Sequence, residues 1–223
     1  MTQPTAQVDN TAGTQALPPY SGPKARVVIA DFDVKAAKAT NEIGSGLREM
    51  LVTALLNSSR FSVVERQALS AIMQEQELGI SAAAQAGSGP QRGNIRTADL
   101  IISAAVTEFE PQASGGRAGI GGGGGVGSGE LGGLLGAALN KAHMALDIRV
   151  IDASTSETLA STRVQGQASD VAGGTMAGFL GSWGMGGGLS AYANTPMEKA
   201  IRVCIIEVVR YISQVIPANY YKY

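Results

Sequence analysis

The chain has 223 residues, with 17 lysines and arginines against 18 aspartates and glutamates. A net charge of −1 argues against a general nucleic-acid binder, which should show a basic face. Cys204 and His143 are the only residues of their kinds, which excludes an intrachain disulfide, a cysteine-based zinc site and a histidine-rich metal centre. Glycine is the anomaly. Of 30 glycines, 13 lie between Gly115 and Gly136 and 8 between Gly173 and Gly188.

Residues Met1–Lys24 are rich in Pro, Thr and Gln and nearly uncharged. This stretch lacks the basic start and apolar stretch of a signal peptide and predicts an extended tail. Arg26–Phe32 is a β-branched run and reads as a strand. Ile43, Leu47, Met50, Leu51, Ala54 and Leu55 then share one helical face, with Thr40 or Asn41 as cap. Arg60–Glu65 is a second strand, and Leu69, Ile72, Met73 and Leu78 mark a second helix. Ala98–Phe109 is a third strand. This alternation predicts a layered α/β domain.

Asn140–Asp152 alternates strictly: Ala142, Met144, Leu146, Ile148 and Val150 on one face, Lys141, His143, Asp147 and Arg149 on the other. It predicts a long, half-buried strand. Ala153–Glu157 is turn chemistry, and Thr158–Gln167 is the returning strand. Met197–Ile216 predicts a last helix, with Cys204 inside its apolar stripe among Ile201, Ile205, Val208 and Ile212.

Two segments depart from this scaffold. Between Ala118 and Asn140 the only charge is Glu130, and Val171–Pro196 has none. Each is long enough for two membrane-crossing strands and a turn, roughly 20–26 residues. The second half of the later segment sets Met185, Leu189, Ala191 and Ala193 against Gly188, Ser190, Tyr192 and Asn194, a weak barrel-like alternation. Phe179, Trp183 and Tyr192 are candidate membrane-interface aromatics. Flexible glycine loops, or hairpins used for assembly, are the competing readings. No run of about 18 apolar residues predicts a transmembrane helix.

Little chemistry is legible. Gly119–Gly124 matches G-x-G-x-x-G, but any glycine run does, and Pro111–Arg117 separates it from the preceding strand. Asp31 and Asp33 are expected to be solvated or capping rather than cation ligands, and His143 to face solvent or a lumen. No nucleophile–base–orienter set is present, so neither an enzyme nor a bound cofactor is expected.

Several stretches together resemble the CsgG/HfaB family of curli secretion channels. They are Met50–Leu55, Arg60–Phe61, Val64–Leu69, Thr97–Ile102, Leu146–Asp152 and Thr155–Leu159, and the resemblance runs from about Lys24 to Ile216. It implies a periplasmic α/β domain with two inserted β-hairpins. Hairpins from a homo-oligomeric ring of about nine protomers would join in one outer-membrane β-barrel of roughly 36 strands. Through that barrel unfolded amyloid-like subunits would leave by diffusion, with outer-membrane lipids and accessory secretion proteins as further partners. Ring closure would pair strand edges that a bilayer cannot leave open.

The family's lipid-carrying N-terminal cysteine has no counterpart here. The family's constriction loop corresponds to Asp33–Asn41, which is shorter and has no aromatic; Val34, Lys35, Lys38 and Asn41 are the candidate lining residues. A wider or cationic opening is the expectation. On this division, 1–24 is the tail, 25–110 the first part of the periplasmic domain and 111–141 the first hairpin. The central strands are 142–167, the second hairpin 168–196, and the last helix and tail 197–223. The alternative is a soluble or lipid-anchored periplasmic protein of the same fold that binds a partner or self-assembles.

Overall fold

The computed structural model describes residues 5–7, 17–81, 85, 89–90, 93–111, 141–169, 187–193 and 195–223. Seven strands form one mixed sheet: β1 (Thr5–Gln7), β2 (Ala25–Ile29), β3 (Asp33–Val34), β4 (Phe61–Val63), β5 (Leu100–Glu110), β6 (Lys141–Asp152) and β7 (Thr158–Ser169). Their order is β1-β7-β6-β5-β2-β4, and β3 continues the line of β2 along β5. β2 runs parallel to β4 and β5; β5, β6 and β7 form an antiparallel meander closed by the Ala153–Glu157 turn. Within the tail, which the composition predicts as extended or disordered, β1 pairs in parallel with β7.

Three α-helices accompany the sheet: α1 (Asn41–Asn57), α2 (Leu69–Leu78) and α3 (Pro196–Val215). Thr40 caps α1, its Oγ1 accepting from Ile43 N at 3.4 Å. The predicted apolar faces of α1 and α3 are buried and pack on one face of the sheet. Their partners there are the inward residues of the strands, among them Val27, Ile29, Ile102, Leu146, Ile148 and Val164. Cys204 belongs to this core, and burial holds its thiol far above the ordinary cysteine range, so it is inert. Among the described residues, α2 has no buried side chain.

The one buried charged residue of the described chain is Arg48 on α1, 4% exposed. Its Nε donates to Ile29 O at 3.3 Å, and its guanidinium lies 3.7 Å from Asp31 and 3.8 Å from Glu65. Both carboxylates are largely in water, so the Ile29 carbonyl is the desolvated partner. At the far end of the sheet the C-terminus is fastened. Lys222 N and Tyr223 N both donate to Lys24 O at 3.1 Å, and Arg26 lies over the Tyr223 ring at 3.6 Å. Asp152 accepts from Tyr220 OH and from the N–H groups of Ser154 and Thr155, bonds that hold its carboxyl down at about 2.

Gly166 sets how closely β7 approaches α3. A Cβ there would overlap the Ala200 carbonyl oxygen and lie 2.9 Å from Cys204 Cβ. Gly166→Ala is expected to push α3 outward and cost about 1–3 kcal/mol, as overpacking does. Thermal unfolding should show the midpoint falling by several degrees; an unchanged midpoint would mean that the helix shifts at no cost.

Candidate functional site

Both glycine-rich segments leave the sheet at the same end. β5 runs up to Glu110, β6 starts at Lys141, β7 finishes at Ser169, and the register pairs Glu110 with His143 and Lys141 with Ser169. The later segment returns in a 3-10 helix, Gly187–Tyr192, followed by Pro196 at the start of α3. That turn sits against the N-terminus of α1: a Cβ on Gly188 would lie 3.0 Å from Glu42 Cβ. Leu189 enters the core, and the Tyr192 ring meets Phe109 edge-on at 5.3 Å. The alternation read as a strand over this stretch is therefore a helical turn at 187–192. The parity of Leu189 and Ala191 gives no inward stripe, because a 3-10 helix repeats every three residues.

The same end carries a charged cluster on the sheet face that α1 and α3 leave uncovered. A β-bulge between Val106 and Glu108 creates it. Before the bulge Ile102, Ala104 and Val106 face the core; after it Phe109 does, and Glu108 and Glu110 turn away. Glu108 is paired with Arg163 and lies 3.1 Å from His143 Nδ1. Arg163 reaches it across Ala145, whose methyl leaves the space above β6 open. Glu110 is paired with Lys38 of the β3–α1 loop.

The candidate loop residues divide. Val34 lies in β3, and the loop is laid along β5, with Lys35 N and Ala36 N both donating to Val106 O at 2.9 and 3.0 Å. Lys35 and Lys38 are exposed, and Asn41 is the exposed first residue of α1. Lys38 thus stands at the root of the first segment, with its charge offset by Glu110. Phe179, Trp183 and the Gly119–Gly124 run lie outside the described residues, as do most of 111–141 and 168–196. Sequence reading missed Glu108, Glu110 and Arg163. The available signal was the parity switch from Val106 to Phe109.

Among the described residues no group of three or more His, Cys, Asp or Glu could hold a metal ion, and no helix is long and apolar enough to cross a membrane. The cluster is an ion-pair network with one titratable imidazole. Burial, outweighing the opposing pull of Glu110, holds His143 below its ordinary 6.5.

A mixed sheet with helices on one face, and two long segments leaving one end of it, defines a class of envelope-type α/β domains. The family model for the curli production assembly/transport component CsgG matches residues 10–221, and the chain belongs to that family. A relative named "Putative lipoprotein NMB1126/NMB1164", from Neisseria meningitidis serogroup B, is 27% identical over 205 residues, covering 88% of this chain and 78% of its own length. Similar solved structures include the protein CT253 of Chlamydia trachomatis. It is 12% identical, covers 86% of this chain and 97% of its own, and has a TM-score of 0.49. The PelC dodecamer of Paraburkholderia phytofirmans is 12% identical over 85% and 92% of the two chains, with a TM-score of 0.39.

The depressed histidine gives a pH dependence of definite sign. As pH falls, the unfolded chain takes up the imidazole proton first, at about 6.5, and the folded chain resists it. Stability contributed at neutral pH is therefore lost between 6.5 and the lower folded value. His143→Gln should flatten the fall in thermal midpoint between about pH 7.5 and about pH 5.5. Parallel wild-type and variant curves would show that His143 carries none of it.

Proposed function

We propose that this chain is a soluble or lipid-anchored protein of the bacterial envelope that assembles with copies of itself and presents both glycine-rich segments from one side of the assembly. Family membership and the lipoprotein name of its Neisseria relative support the location. The observation that carries the assembly is the helix-free sheet face. There Val28, Ile101 and Ile151 stand side by side in register and half-buried, with no helix over them among the described residues. Such a row is covered when a second sheet or subunit packs against it.

Sedimentation velocity of purified protein tests this. The expected result is a discrete oligomer that Ile101→Arg dissociates, with circular dichroism unchanged. A monomer at every concentration, with and without detergent, would sink the proposal.

A second reading, an outer-membrane pore of the curli-secretion type, is favoured by one specific observation: all four roots of the two segments lie at one end of adjacent elements, as a shared barrel requires. Detergent-purified protein should then give large, uniform conductance steps in planar bilayers. Lys35 is exposed and has no carboxylate partner among the described residues, whereas Lys38 is offset by Glu110. Reversal potentials should therefore move toward cation preference more in Lys35→Glu than in Lys38→Glu. Equal shifts would place Glu110 away from the conduction path, and absence of conductance would leave the envelope-assembly reading alone.

A further inference from the structure

The opposite edge of the sheet carries a groove that neither the assembly nor the pore reading uses. It has a volume of about 510 Å³ and lies between β4, α2 and the chain around Pro90 and Asn94–Arg96. Five consecutive residues, Ser62–Arg66, line it. Of these, Ser62 and Val63 belong to β4, and their side chains point to opposite faces of the sheet, so a groove touching both lies along the edge of the strand. β4 is the last strand in the order and, among the described residues, pairs only with β2. Ala25 N donates to Arg60 O and Val64 N to Val27 O, which places the ladder groups of alternate residues toward β2. Val63 falls on the other parity, so its N–H and C=O point to the open edge.

Two further properties define what fits. The wall made by Leu69 and Ile72 of α2 and by Ile95 is apolar. α2 is ten residues long and has no buried side chain, with Ile72 37% and Met73 53% exposed. A helix that short draws its stability from packing, and among the described residues its apolar side has no cover. The groove is also cationic. Arg26, Arg66 and Arg96 line it against one carboxylate, Glu65, which accepts from Gln67 N at 2.6 Å and lies 3.8 Å from Arg48. None of the three arginines pairs with a carboxylate among the described residues. The Nε of Arg26 is buried without a hydrogen-bond partner.

We infer that this groove binds an extended peptide segment that alternates apolar and acidic residues, added as a strand to the free edge of β4. Main-chain bonds to Val63 fix its direction. Its apolar side chains cover Leu69, Ile72 and Ile95, and its carboxylates meet Arg66 and Arg96. Strand addition explains why a sheet blunted at its other edge by β1 leaves β4 open beside an uncovered helix. The inference does not rest on the proposed function, because it uses no residue of the helix-free row or of the insert roots.

Fluorescence anisotropy tests it on the full chain, with a labelled, N-acetylated hexapeptide of alternating valine and glutamate. Its valine–lysine counterpart is the control. Saturable binding at least about tenfold tighter for the glutamate peptide, weakening with salt, is expected. Val63→Pro removes the outward N–H without touching the β2 ladder, and Arg96→Glu reverses an exposed charge; each should weaken binding about tenfold, Arg96→Glu with the thermal midpoint retained and Val63→Pro with a lower midpoint, because the Val63 side chain packs against the core. No saturable binding, equal binding of both peptides, or unchanged binding by both variants overturns it. Should either variant instead change the sedimentation coefficient, the occupant is a second copy of this chain and the peptide assignment is wrong.

Discussion

One extra residue in β5 decides what the functional end of the molecule is made of. Were β5 to keep its parity through Val106, Glu108 and Glu110 would face α3 and the core, and Phe109 would face out. Burying two carboxylates without partners costs far more than the distorted ladder of a bulge. The bulge at Val106/Glu108 resolves this, and Thr107 Oγ1 donates to Ala145 O at 3.3 Å beside it. Phe109 is then free to meet Tyr192 and anchor the returning turn, and Glu108 and Glu110 can pair with Arg163 and Lys38. The same local defect thus completes the core and builds the ionic cluster.

The helices cover only one face of the sheet, and that asymmetry follows from the strands themselves. On β6 the inward residues are Ala142, Met144, Leu146, Ile148 and Val150, all buried, whereas Asp147 and Arg149 stand outward. An antiparallel meander tolerates water on its polar face. β2 and β5 are less polar outward, with Val28 and Ile101 there, so the uncovered face is wet at β6–β7 and apolar where Ile151 meets them. A surface of that kind holds a folded monomer together and still gains from association.

The scaffold was legible because its signals are redundant. Strict alternation over Ala142–Val150, one apolar stripe on each of α1 and α3, and Thr40 before the first helical turn leave a single consistent register. The charged cluster was not legible for the same reason: Val106-Thr107-Glu108-Phe109-Glu110 continues to look like a strand, and only the parity of Phe109 betrays the bulge. β1 has no apolar pattern at all, since its pairing uses main-chain groups that every residue carries. The 3-10 turn at Gly187–Tyr192 looks like a strand because Leu189 and Ala191 share one two-residue phase, whereas the turn buries Leu189, exposes Ala191 and brings Tyr192, three residues after Leu189, against Phe109. The outward Val63 and the bare α2 are likewise invisible in sequence, because what matters there is the neighbour that is missing.

Charge is distributed with a sharp border. Lys38, Glu108, Glu110, His143 and Arg163 gather at the end of β5, β6 and β7, and past that end the chain carries Glu130 alone from Ala118 to Asn140 and nothing from Val171 to Pro196. Ionised groups at the border are tolerated because each has an opposite partner and retains contact with water; Glu108 and Glu110 keep 38% and 41% of their side-chain exposure. Beyond it, the sequence has removed the groups that would require either. A collar of paired charges thus stands where the chain enters two segments whose sequence carries almost none. At this end of the molecule the collar, rather than the segments, is where pH and salt act, since it holds the titratable and paired groups that the segments lack.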